Sequence, residues 1–223
     1  MFDDAGRVIN GKRDARVHGL RASYAPDFGS VCIGAGTERL DFSLREPAKL
    51  EAWLSAYFAM AVQLRRDREH GFPDDLQAPG PTVISTSTLQ TVADWFGLDE
   101  DDTRRRFRAN LEIDGVAAFW EDRLYGEAGT VVPVDIGPAT LLGTNPCQRC
   151  VVPSRDPDDG AVIAAFSKRF AAQREATLPA WAARGRFDHY YRLAVNTAVG
   201  PEVAGRTIRR GDPIALRATT LAR

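Results

Sequence analysis

Two of the chain's three cysteines stand three residues apart in the stretch Asn145 to Gly160, NPCQRCVVPSRDPDDG, with an arginine directly before the second. A thiolate is both a soft metal ligand and a nucleophile, and a neighbouring guanidinium favours the ionised sulfur. Cys150, which follows Arg149, is therefore the sulfur expected to work. The C-x-x-C spacing by itself also fits half of a zinc site, a dithiol redox pair or two ordinary buried thiols. A zinc site needs two further ligands, and Cys32, His18, His70 and His189 stand at no customary paired spacing.

A second chemical feature lies in residues 82 to 88. TVIS reads as a strand, and STLQTVADWFG reads as a helix capped by Ser87 and ended by Gly97. A strand running into a helix N-terminus presents free N–H groups, here beside the hydroxyls of Ser85, Thr86, Ser87 and Thr88, which makes a natural anion seat. The same residues serve equally well as plain caps and a strand end. Further on, FRANLEID (107 to 114) reads as a strand that holds Arg108 close to Asn110.

The elements that must position these groups follow from periodicity. Residues 7 to 45 show partial period-two alternation broken by Asn10-Gly11, Pro26 to Gly29 and Gly34 to Gly36, which predicts a small antiparallel sheet with Cys32 in its core. From Pro47 to about Arg66, Leu50, Trp53, Leu54, Tyr57, Phe58, Ala61 and Leu64 recur at helical spacing. The Pro-, Gly- and Asp-rich stretch RDREHGFPDDLQAPGPT then marks a boundary near residue 80, and its His70 has no role assigned to it. GTVVPVDIG and ATLLGT (129 to 144) are two strands leading into the cysteines. Residues 161 to 176 read as a helix with Lys168, Arg169 and Arg174 on its charged side, and the tail returns to strand in FDHYYRLAVNTAV and GRTIRRGDPIAL. The fold class is α+β, mainly β: residues 1–80 form a small antiparallel β domain with one long helix, and residues 81–223 a closed or nearly closed barrel with flanking helices.

Composition narrows the partners. The 223 residues, 44% hydrophobic and 26% charged, suffice to bury a core, and 29 Lys plus Arg against 30 Asp plus Glu leave a net charge of -1. That balance gives no general pull towards nucleic acid or an acidic membrane. No apolar run resembles a secretory signal or reaches bilayer length, and the odd cysteine count argues against a disulfide framework, so a cytoplasmic location is expected.

The order FRANLEIDG, FWED, IGPATLL, CQRCVVPSRDPDDG, FDHYY and IRRGDPI resembles the MOSC domain, named for the C-terminal part of molybdenum cofactor sulfurases. The nearest likeness is to its amidoxime-reducing branch, which carries C-x-R-C followed by a D-P-x-x-G turn. The first 80 residues resemble a shortened form of the β-rich domain that precedes MOSC there. The resemblance implies a barrel and a molybdenum–molybdopterin cofactor, with Cys150 as the thiolate on the metal. It also implies that Ser85, Thr86, Arg108, Asn110, Gln148, Arg149 and Tyr190 hold the pterin and its phosphate, and that Cys147 is a neighbour and no ligand. The implied activity is reduction of small N-hydroxylated or N-oxide substrates, recharged by a separate flavin or iron–sulfur donor protein; a non-catalytic cofactor or sulfur carrier is the alternative. Relatives grip the cofactor also through an early Lys-Ser pair and an Asp-Arg pair, expected to be missing here, and keep an aromatic where this chain has Arg123-Leu124. Pyridoxal phosphate, attached to the family through the sulfurases, finds no lysine here in a context that argues for a Schiff base.

Overall fold

The computed structural model describes residues 1–67, 71–72 and 75–222, so His70 lies outside the described residues. They form two compact units, Met1–Phe72 with Ser154–Ala164, and Pro73–Pro153 with Ala165–Arg223.

In the first unit the alternation becomes a three-stranded antiparallel sheet of β1 (Leu20–Tyr24), β2 (Ser30–Ala35) and β3 (Leu40–Ser43), paired in that order. The sheet is smaller than expected, because Ala15–Gly19 forms a 3-10 turn and Val8 makes only an isolated bridge to Phe2. Side chains alternate across a strand, so Val31 and Ile33 are buried while Cys32 between them is half-buried on the opposite face, which corrects its expected place in the core. Helix α1 (Ala48–Phe58) presents Leu50, Leu54 and Phe58, four residues apart, to a cluster with Ile9, Val31, Ile33 and Val62.

α1 ends eight residues before the expected Arg66. Ala59 takes a left-handed conformation (φ 46°), and Ser55 Oγ and Glu51 Oε1 accept from the backbone N–H of Val62 and Leu64 at 2.9 and 2.7 Å. These side-chain bonds offer the backbone an alternative to another helical turn and return it to pair Gln63 with Phe2. The DPDDG turn belongs to this unit: Arg155 bridges Val162, and Asp158 pairs with Arg21.

The second unit holds β4 (Val83–Ser85), α2 (Thr86–Phe96), α3 (Glu100–Phe107), β5 (Leu111–Ile113), β6 (Thr130–Ile136), β7 (Ala139–Gln148), α4 (Phe166–Ala176), β8 (Arg192–Val199), β9 (Ile214–Leu216) and β10 (Thr220–Leu221). Its sheet runs β10-β6-β7-β8-β4-β5 with β9 also on β6, and among the described residues only β4 and β5 pair in parallel. The protein is α+β and mainly β, with a curled, barrel-like sheet here. Val83, Leu124, Val134, Leu141 and Val195 form its core. β7 passes so close to the Trp120–Leu124 turn that a Cβ on Gly143 would lie 1.7 Å from the Leu124 carbonyl oxygen, so only glycine fits.

Two boundaries differ from expectation. The strand predicted over 107 to 114 shrinks to Leu111–Ile113, because Phe107 closes α3 and Arg108 caps it at φ 53°, its N–H bonded to Arg104 O at 2.8 Å. The helix predicted from 161 begins at Phe166, after Ile163 N–H bonds to Ser154 O at 2.9 Å and Ala165 turns left-handed.

Candidate functional site

β7 carries Cys147 and Gln148 at its exit, beside the entry of β8. The ladder pairs Gln148 with Arg192, with an irregularity between Pro146 and Gln148, and the Arg149 N–H extends it by bonding Tyr191 O at 3.1 Å. Such a bulge re-aims the residues that follow it. All three cysteines are free thiols, and Cys150 is half-buried, so its sulfur is neither sealed in the core nor fully in water.

Arg149 is held from several sides. Its Nη2 donates to Phe107 O at 2.6 Å, its guanidinium lies 5.4 Å from the centroid of the Phe107 ring, and its Nη1 lies 3.3 Å from Cys147 Sγ. The positive charge expected beside Cys150 is thus placed on Cys147. The Arg149 charge and Cys150 both act on the Tyr191 phenol. Arg149 Nε is buried and has no hydrogen-bond partner among the described residues.

The other expected residues divide into two kinds. Arg108 is exposed, and its guanidinium makes no hydrogen bond or ion pair among the described residues. Gln148 is exposed, and Tyr190, half-buried, stacks on Phe187 with centroids 5.5 Å apart. Thr86 is half-buried with a long bond of 3.4 Å from Oγ1 to Ile113 O. By contrast, Asn110 Oδ1 accepts from both the N–H and the hydroxyl of Thr82, at 2.9 and 3.0 Å, and so braces the start of β5 against β4. Ser85 is fully buried and is itself the cap of α2, accepting from Thr88 N–H at 3.2 Å. The expected cap, Ser87, instead donates its hydroxyl to Val116 O at 2.6 Å.

The structure brings Gln148, Arg149, Cys150 and Tyr190 to one end of the β7–β8 ladder, and the grip of Arg149 on Phe107 draws the neighbouring Arg108 to it. Among the described residues no hydrogen bond joins Ser85 or Thr86 to the cysteines.

Tyr191 escaped the sequence reading, which chose Tyr190. Its ring meets Phe166 and Phe170 edge-on at 6.3 and 5.3 Å, and its hydroxyl is buried without a hydrogen-bond partner among the described residues. Burial pushes the phenol up, the Arg149 charge pulls it down and Cys150 pushes it up, so it stays protonated.

A buried polar cluster was missed as well. Glu121 and Arg174 are 1% exposed and Asp122 is 3% exposed, although Arg174 was expected on the charged side of α4. Asp122 pairs with Arg174, whose guanidinium sits 4.3 Å from the Phe119 centroid and 5.3 Å from that of Phe187. Glu121 is pushed up to about 7, by burial first and the Asp122 charge second. The available signal was Phe119-Trp120 directly before two acids, in a stretch too apolar to be a solvated face.

The sequence profile of the MOSC domain matches residues 80–215. The chain belongs to the MOSC domain family. No curated protein matches it. The matched span carries all eight expected site residues and the Glu121–Asp122–Arg174 cluster. MOSC domains are associated with the molybdenum cofactor, an anionic group bearing a high-valent metal that takes thiolate ligands. A half-exposed thiol at Cys150, the unengaged Arg108 guanidinium, and the idle Arg149 Nε and Tyr191 hydroxyl fit such a group. Among the described residues no three His, Cys, Asp or Glu side chains gather as a metal cage, so the zinc reading gains no third ligand for its cysteines. No helix of the described residues is long and apolar enough to cross a membrane.

Proposed function

We propose that this MOSC domain protein binds the molybdenum–molybdopterin cofactor through Cys150 and uses it to reduce small N-hydroxylated or N-oxide compounds. The observation that supports the reading most is the half-buried Cys150 thiol at the exit of β7, inside a MOSC match and beside polar donors without a partner among the described residues. When bound, the cofactor would supply two-electron, oxygen-atom-transfer chemistry at Cys150.

The chain's own residues supply binding and electrostatics. Cys150 gives up its proton on ligation, because a coordinating cation deprotonates a thiol. Arg108 presents a planar pair of donors that suits a phosphate. Arg149, anchored on Phe107 O, holds the cysteine turn in place and keeps Nε for the cofactor. Gln148 and Thr86 offer polar groups and Tyr190 a ring face, while Ser85 and Asn110 act as the cap and brace behind them.

The reaction balances as R–NHOH plus two electrons and two protons giving R–NH2 and water. A separate flavin or iron–sulfur protein delivers the electrons. Because Ser85 and Asn110 commit their polar groups internally, the grip is lighter than the sequence implied, and this favours the carrier as the second reading. The test is molybdenum and pterin analysis of protein made in a cofactor-competent host, with turnover of an amidoxime. Equimolar metal lost in Cys150→Ala, with turnover, supports the reductase; metal without turnover selects the carrier; neither metal nor pterin overturns both.

A further inference from the structure

Several of the buried polar atoms that lack a partner gather in one place: Glu121 Oε1, Tyr125 Oη, Arg174 Nε and Arg174 Nη1. Buried polar groups left bare are costly, so a concentration of them marks a spot where the fold tolerates a penalty. From it two arms run outward. On one side Glu121 Oε2 accepts from Thr88 Oγ1 at 3.0 Å, Thr88 Oγ1 lies 2.8 Å from Ser85 Oγ and also accepts from Phe119 N–H at 2.6 Å. That arm fixes the β4–α2 junction. On the other side Asp122 pairs with Arg174 of α4, Arg174 lies over Phe187, and Phe187 stacks on Tyr190 with planes 19° apart. That arm fixes the entry to β8.

We propose that Glu121 is a proton-holding positioning residue that sets both flanks of the candidate site at once. The proposal rests on the cofactor reading only for what the site binds; the positioning is a property of the chain itself. The titratable groups facing Glu121 are Asp122 and Tyr125 from its own turn and its exit, with the hydroxyls of Thr88 from α2 and of its cap Ser85; Arg174 from α4 faces Asp122 and Tyr125. The cluster holds two carboxylates and one cation, and the cation pairs with Asp122. The cluster is neutral only when one proton stays, and since Asp122 holds the ion pair, the proton belongs on Glu121. Ionising Glu121 leaves a bare Oε1 beside the Asp122 charge in a dry interior, which loosens both arms together.

The sign follows from the folded value of about 7 against an ordinary 4.5. A carboxyl raised on folding contributes stability that is fully present below its unfolded value and is lost as pH rises through its folded one. The window is therefore from about pH 4.5 to about pH 7.

The experiment uses the full chain without cofactor, so that its outcome is separate from that of the cofactor reading. Urea midpoints and amide hydrogen exchange are followed across that window for wild type and Glu121→Gln. Expected are a wild-type midpoint that falls through about pH 7, a flat profile in the variant, and joint loss of protection at 85–89 and 187–191 in wild type only. Equal slopes in the two proteins overturn the proposal, as does a loss of protection confined to one segment. Should the variant fail to fold, carboxyl-carbon NMR of wild type decides: titration of Glu121 near neutrality supports the proposal, and titration in the ordinary carboxylate range ends it.

Discussion

Arg149 reaches back along its own strand to place Nη1 3.3 Å from Cys147 Sγ, while its Nη2 crosses to Phe107 O at 2.6 Å. One guanidinium thereby ties the cysteine turn to the end of α3. Arg149→Ala is expected to lower stability by about 1–3 kcal/mol, from the lost charge-assisted bond and ring contact. Arg149→Lys recovers little of that, since an ammonium lacks the planar fork that serves both partners. Urea denaturation of both variants checks this, and a lysine variant as stable as wild type would count against the fork.

Asp75 ties two central strands together: its Oδ2 accepts from Asn145 Nδ2 at 3.3 Å and Asn196 Nδ2 at 3.0 Å, and its Oδ1 from Gln77 N–H at 2.9 Å. Burial alone raises this carboxyl, but the bonds from Gln77, Asn145, Asn196 and Ala78 outweigh it and hold it below its ordinary value. A depressed folded value gives stability that is present above the unfolded value, about 3.9, and lost as pH falls through the folded one. Asp75→Asn sets an amide donor against two others and is expected to destabilise by about 1–2 kcal/mol near neutrality, a modest figure because the site is partly solvated. Acid titration of the unfolding midpoint should show a shallower fall in the variant.

Among the described residues the buried Tyr191 hydroxyl has no hydrogen-bond partner, so its removal breaks none of the chain's described bonds. Tyr191→Phe is expected to leave the urea midpoint within about 0.5 kcal/mol of wild type or to raise it. Retention of molybdenum on gel filtration is expected to fall in the same variant. Unchanged retention would mean that the hydroxyl meets no part of the cofactor.

What the sequence discloses and what it hides have physical reasons. The cysteine pair at a strand end was legible because two strands with clear alternation lead straight into it. The cap of α2 was off by two residues because Ser85, Thr86, Ser87 and Thr88 all carry hydroxyls, and only the fold shows which one turns inward. Arg174 looked solvated because a charge at helical spacing usually is, whereas here Asp122 and two ring faces take it in. The aim of Arg149 was hidden because β7 runs to Gln148, four residues past the strand read from sequence, and its register shifts between Pro146 and Gln148. The end of α1 depends on side chains bonding backbone several residues away, which periodicity does not register.

The central claim is a bond between Cys150 Sγ and molybdenum, and X-ray absorption at the molybdenum edge reads it most directly. Protein from a cofactor-competent host is predicted to show a sulfur neighbour of the metal that disappears in Cys150→Ser and persists in Cys147→Ser. An identical sulfur shell in wild type and Cys150→Ser, or its loss in Cys147→Ser alone, would contradict the account.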